Sequence, residues 1–156
     1  MSINKILNIF FCFFFLIFTS CDSQKIADSY QEIPKNAWHI NRSIDFEFNI
    51  SESTDKIDFL IGLRNNNEYR YSNIFFFVDL MFPDGSLERD TVQFLLAEPN
   101  GKWLGEGIGP IKHLLLTYKE NQEIQSGTYK FNISHGMRDS ILLGIEDIGF
   151  RIEKSK

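Results

Sequence analysis

Ile44, Phe46, Phe48 and Ile50 alternate with Ser43, Asp45, Glu47 and Asn49. A period of two predicts a strand with one face buried. Lys56 to Leu63 reads as a second strand. Glu68 to Phe82 begins with alternation at Tyr69 and Tyr71, then becomes continuously apolar through Ile74-Phe75-Phe76-Phe77-Val78. Such a run predicts a central strand covered on both faces. Pro83-Asp84-Gly85 and Pro99-Asn100-Gly101 are turns, since Pro fixes φ and Gly permits positive φ. Between them Leu87 to Ala97 predicts another strand. Trp103 to Pro110 is Gly-rich and predicted irregular, and Ile111 to Tyr118 fits a strand better than a short helix. Tyr129, Phe131 and Ile133 alternate with polar neighbours, and a last strand carries Ile148, Phe150 and Ile152 inward with Arg151 and Glu153 outward. Seven or eight strands with regularly spaced turns, and no amphipathic helix, predict an all-β fold. The expectation is an antiparallel β-sandwich, jelly-roll-like or immunoglobulin-like.

The amino terminus breaks this pattern. Ile6 to Phe18 is apolar except for Asn8 and follows a short segment carrying Lys5. Thirteen residues match a secretory signal and fall short of the about 20 that a membrane span needs. Small Thr19 and Ser20 precede Cys21, which fits a bacterial lipobox. Cleavage would leave Cys21 first, with acyl chains (palmitate-like) on its thiol and its membrane attachment coming from their buried methylenes. Cys12 lies in the discarded segment, so the exported chain holds a single Cys, and acylation accounts for that otherwise odd thiol. The expected organisation is a signal peptide over 1–20, a lipidated amino terminus and polar tether over 21–36, and a β-sandwich over 37–156.

Composition changes the picture once the leader is set aside. The chain of 156 residues has sixteen Phe and a formal charge of −5. Six Phe and Lys5 belong to the first twenty residues, so the exported part carries −6. That length excludes a multidomain enzyme, and that charge excludes a basic nucleic-acid binder.

Searching for chemistry yields little. His39, His113 and His135 are far apart in sequence, none at metal-ligand spacing, so no metal and no other cofactor is expected. No Ser lies in a nucleophile elbow. Gly105-Glu106-Gly107-Ile108-Gly109 superficially matches a dinucleotide loop, but Pro110 and a β-rich context replace the helix that would meet a pyrophosphate. Asp90, Glu98, Glu106, Glu146 and Asp147 include no pair marked out for glycoside hydrolysis. The expectation is no catalytic residue, no enzyme and no small-molecule substrate. Trp38, Tyr69, Tyr71 and Trp103, with Arg64 and Asn65-Asn66-Asn67 as polar neighbours, are the candidate contacts for a partner or a glycan. The competing reading has Trp38 staple the tether to the sandwich and packs the other rings in the core or at strand ends.

A set of ordered pieces carries a resemblance. They are Leu63-Arg64, Tyr69, Tyr71 and Asn73, Asp90-Thr91, Gly101-Lys102-Trp103-Leu104-Gly105-Glu106-Gly107, Gly127-Thr128-Tyr129-Lys130-Phe131, Met137-Arg138-Asp139 and Gly144-Ile145-Glu146-Asp147-Ile148-Gly149. With the lipobox, their order and spacing resemble the GldH family of gliding-motility lipoproteins from Bacteroidetes. The resemblance implies a non-enzymatic component or assembly factor of the gliding and secretion machinery, working beside other envelope proteins. The expected location is the cell envelope, on the outer membrane facing the periplasm, held by the lipid on Cys21. The phylum also implies O-glycosylation at Asp-Ser/Thr-aliphatic motifs, which Thr91 in Asp90-Thr91-Val92 and Ser140 in Asp139-Ser140-Ile141 satisfy. The alternative is a carbohydrate-binding β-sandwich module that stacks sugars on Trp103, Tyr69 or Tyr71.

Overall fold

A computed structural model describes residues 24–51 and 56–156. Among these, ten strands and one turn of 3-10 helix follow in order: β1 Lys25–Glu32, the 3-10 turn Pro34–Asn36, β2 Ala37–His39, β3 Ile44–Ile50, β4 Ile57–Asn65, β5 Asn73–Met81, β6 Leu87–Leu95, β7 Lys112–Gln122, β8 Gly127–His135, β9 Ile141–Leu143 and β10 Ile145–Lys154. Two four-stranded sheets, ordered β1-β10-β4-β7 and β3-β8-β5-β6, pack face to face, and β2-β9 forms a small ribbon. Every strand pair is antiparallel. The chain is the expected all-β sandwich.

Alternation in the sequence becomes the core directly. Along β3 the apolar positions are buried and the polar ones exposed, without exception. Phe131 of β8 and Phe150 of β10 stack across the two sheets with ring centroids 3.7 Å apart. Phe48 of β3 and Phe59 of β4 close around that pair. Six of the ten Phe outside the leader (Phe46, Phe48, Phe59, Phe76, Phe131 and Phe150) are buried, and truncating one of the central rings to Ala costs about 3–5 kcal/mol.

Two expectations are corrected. Phe75 and Phe77 are not covered on an outer face. Burial along β5 alternates, Phe76 being fully buried and Phe77 49% exposed. Among the described residues no layer lies over that side of the sheet, and the Phe77 ring and the Phe75 Cβ pack against Gly136, whose missing Cβ leaves them room. The segment 22–36 is not simply a tether. Lys25–Glu32 forms β1 and pairs with β10 over the register Lys25↔Glu153 to Glu32↔Asp147. Ile33 N–H continues the connection to Glu146 O at 2.8 Å, so the domain begins before residue 37.

The two ends of the sandwich differ. At the entry end, β1, β4, β6 and β8 begin, and β3, β5, β7 and β10 finish. The far end holds the 3-10 turn, the β2-β9 ribbon and the connections 66–72, 96–111 and 136–144. The predicted turn at 83–85 belongs to the entry end. Gly85 takes φ 85°, and the Asp84 carboxylate accepts the Ser86 N–H at 2.8 Å.

Candidate functional site

Tyr69, Tyr71 and Trp103 converge at the far end. The turn after β4 is closed by Asn66, whose side-chain oxygen accepts the Glu68 N–H at 2.8 Å. Gly144 passes beneath this turn with φ 82°, and a Cβ there would meet the backbone of Glu68 and Tyr69. Tyr69 is thereby set into the core at 3% exposure, its hydroxyl donating to Asn73 O at 2.7 Å. Tyr71 stands edge-on to it at 5.8 Å and Trp103 lies tilted at 6.4 Å. Tyr71 and Trp103 are half-buried. Tyr71 donates to the Asp139 carboxylate at 2.8 Å, a bond that raises the phenol's pKa, while burial raises that of Tyr69. These three rings form a packed cluster with one half-open edge, beside a cavity of about 130 Å³ lined by Tyr71, Asp139 and the β9 ribbon.

Arg64 belongs to a different place. It projects from the outer face of β4, where its Nε donates to Asp147 Oδ1 at 2.8 Å, and its guanidinium lies 5.7 Å from the centre of the Tyr30 ring. Tyr30 is the organiser of this face. Its ring crosses Gly149 of β10 and Gly62 of β4, where any Cβ would strike it, and its hydroxyl reaches His113 Nε2 of β7 at 2.8 Å. Burial, then the carboxylates of Asp28 and Asp147, push the Tyr30 phenol up to about 12. One β1 side chain therefore spans the whole sheet. Sequence reasoning missed it because Tyr30 lies in a polar segment without alternation, and the two glycines that receive it are distant in the chain.

The third feature is a groove of about 510 Å³ on the outer face of the β3-β8-β5-β6 sheet. Met81 and Leu87 form its apolar floor, and its charges are already matched: Arg89 with Asp79 at 3.4 Å and Lys130 with Glu47 at 3.3 Å. Asn132 donates to Asp45 at 2.6 Å. These residues were legible only as the outward positions of their strands.

The remaining sequence candidates are placed as follows. Cys21 lies outside the described residues. Thr91 and Ser140 are exposed, on β6 and before β9, and each preceding aspartate is engaged: Asp90 by Tyr118 and Lys119, Asp139 by Tyr71. The Gly105–Gly109 loop is followed by a strand, with Glu106 bridged to His113. His135 is buried, its Nε2–H donating to Trp38 O at 3.1 Å. Among the described residues, no group of His, Cys, Asp and Glu is arranged to hold a metal ion.

Exposed apolar side chains distinguish the far end. Of twelve large ones among the described residues, seven lie there: Ile40, Leu95, Leu104, Ile108, Ile111, Ile141 and Leu143. Ile108, at the tip of the Gly-rich loop, is fully exposed.

Comparison with known proteins gives a consistent picture. The family described as GldH lipoprotein matches residues 25–152. A "Gliding motility lipoprotein GldH homolog" of Christiangramia forsetii is 43% identical over 153 residues, covering 93% of each chain. The "Gliding motility lipoprotein GldH" of Flavobacterium johnsoniae is 34% identical over 146 residues, covering 89% of this chain and 91% of that protein. Among solved structures, a carbohydrate-binding module specific for non-crystalline cellulose aligns with a TM-score of 0.42 and 9% identity, over 83% of this chain and 73% of its own. That likeness is too distant to bear on function.

Proposed function

This chain belongs to the GldH lipoprotein family, and from that premise we propose that it is a membrane-anchored, non-enzymatic component or assembly factor of the gliding machinery. Cys21 carries the lipid, and the sandwich stands on the outer membrane facing the periplasm. The family's gliding-motility names and the lipobox support the anchored role. The observation that carries the working surface is the concentration of exposed apolar side chains at the far end, opposite the end where the chain enters the fold. Side chains of this kind gathered at one end offer apolar area that a partner can bury. That end is the contact surface for another envelope protein of the machine.

The test is a Leu104→Asp/Ile108→Asp double variant expressed in a gliding bacterium lacking its own relative. Both side chains are exposed, so the fold should tolerate the change. The expected result is a folded, membrane-held protein that fails to restore colony spreading. Spreading equal to that given by the unaltered chain would remove the far end as the partner surface.

A further inference from the structure

We propose that the free edge of β6 is a homodimer interface. Two copies of this chain pair their β6 strands antiparallel about a two-fold axis at Thr91, joining two four-stranded sheets into one of eight. The four sheet edges differ in how they are finished. β1 is clamped to its sheet by Tyr30 and carries a bulge between Lys25 and Ala27. The register of β7 against β4 shifts twice near the end of β7, where Asn121 turns left-handed at φ 54°. β3 is capped where the Gln31 side-chain amide of β1 donates to Asp45 O. Bulges and covered edges are the devices that keep a strand from pairing outward. β6 has none of them. Its nine residues include no Pro or Gly and pair with β5 in unbroken register from Leu87↔Met81 to Leu95↔Asn73. Among the described residues no strand lies on its other side. Its charged side chains are engaged within the chain, Glu88 and Asp90 by Lys119 at 2.5 and 3.1 Å and Arg89 by Asp79 at 3.4 Å.

The free backbone groups are in phase for self-pairing. Phe82 N–H to Ser86 O at 2.9 Å and Leu96 N–H to Ser72 O at 2.8 Å bracket the β5-β6 ladder. Bonded and non-bonded pairs alternate in an antiparallel ladder, so the even-numbered residues of β6 bond to β5. The N–H and C=O of Leu87, Arg89, Thr91, Gln93 and Leu95 therefore point to the open edge. An axis at Thr91 sets these groups against each other: Thr91 against Thr91, Arg89 against Gln93 and Leu87 against Leu95 of the second copy. That register uses the whole strand and places no two like charges directly opposite. It also closes Leu87, 44% exposed, over Leu95, 63% exposed, at both ends of the pairing. Moving the axis to Arg89 or Asp90 would set that charge against its own copy, which is destabilising. Moving it toward Leu95 would shorten the overlap. The axis runs perpendicular to the joined sheets, so both β1 strands, and the Cys21 anchors that precede them, lie in the layer on one side.

Sedimentation equilibrium of the exported chain carrying Cys21→Ala tests this, with acyl chains and intermolecular disulfides kept out of the measurement. The chain with its β6 edge unaltered should show a reversible monomer–dimer equilibrium. Residue 93 faces Arg89 of the second copy twice in the dimer, so opposite charges there should act in opposite directions. Gln93→Glu should tighten the dimer and Gln93→Arg should weaken it, each by about three- to tenfold. General repulsion between two acidic chains would move both variants the other way. Thr91→Pro removes an N–H that bonds nothing in the monomer but pairs at the axis, so it should give a folded monomer by circular dichroism. A chain still monomeric at about 1 mM, where even a millimolar affinity registers, overturns the proposal. So does a dimer that survives in folded Thr91→Pro, or one whose affinity does not rise with Gln93→Glu and fall with Gln93→Arg. If Thr91→Pro does not fold, the two variants at position 93 decide alone.

Discussion

Replacing Gly62 by Ala tests whether Tyr30 lies across the sheet. In a strand, Gly→Ala alone should stabilise by about 0.5–1 kcal/mol, through reduced chain entropy in the unfolded state. Here the new Cβ would come within 2.7 Å of Tyr30 Cε1 and Cζ and evict the ring. Losing the ring gives up a hydrogen bond to His113, about 1 kcal/mol. It also gives up a stacked guanidinium, about 0.5 kcal/mol, and half-buried apolar area worth about 1.5 kcal/mol. The net expectation is a loss of about 2 kcal/mol. In a Tyr30→Ala background the obstacle is gone, so the same Gly62→Ala change should become neutral or stabilising. The coupling is read from a double-mutant cycle by urea denaturation, with hydrogen exchange of the β1 amides as the local readout. If Gly62→Ala costs the same with and without Tyr30, the ring does not lie there and the clamp on β1 is wrong.

Three further outcomes follow from the geometry. His135 is held neutral, its pKa lowered first by burial against the opposing Trp38 carbonyl bond and Asp139. The unfolded chain therefore binds the proton more readily, so stability should fall as pH drops below about 6.5, a slope that His135→Gln should remove. Gly144→Ala demands a left-handed Ala with its Cβ 2.8 Å from the backbone carbons of Glu68 and Tyr69. It should cost at least about 2 kcal/mol in thermal or urea unfolding and loosen the Tyr69 cluster. Arg64→Met leaves the buried Asp147 carboxylate unpaired; because the arginine is half-exposed and screened, the expected loss is about 1–2 kcal/mol, reduced in an Arg64→Met/Asp147→Asn double variant.

Legibility in the sequence followed the physics of burial. Strand β3 announced itself because one of its faces is core and the other water, and nothing else competes for its side chains. The Phe75-Phe76-Phe77 run misled, since composition cannot tell an uncovered apolar face from a covered one; Gly136, far along the chain, is what the Phe77 ring rests on. Strand β1 was hidden for the opposite reason. It is an edge strand whose principal side chain, Tyr30, faces outward onto a glycine floor, so no inward apolar period exists to be read. Of the candidate residues, Tyr69, Tyr71 and Trp103 do come together, though as a packed cluster around a buried Tyr69. Arg64 joins Tyr30 and Asp147 instead, a grouping set by register between β4, β10 and β1 that no local pattern encodes. The far-end apolar side chains were individually visible, but only the strand order shows that they share one end.

In the proposed function, a lipid on Cys21 places this domain where gliding requires it. Colony spreading of a gliding strain lacking its own relative, supplied with either the unaltered chain or Cys21→Ala, tests this most directly. The unaltered chain should restore spreading, while Cys21→Ala should accumulate as a folded protein outside the membrane fraction and restore none. Full spreading with Cys21→Ala would contradict it.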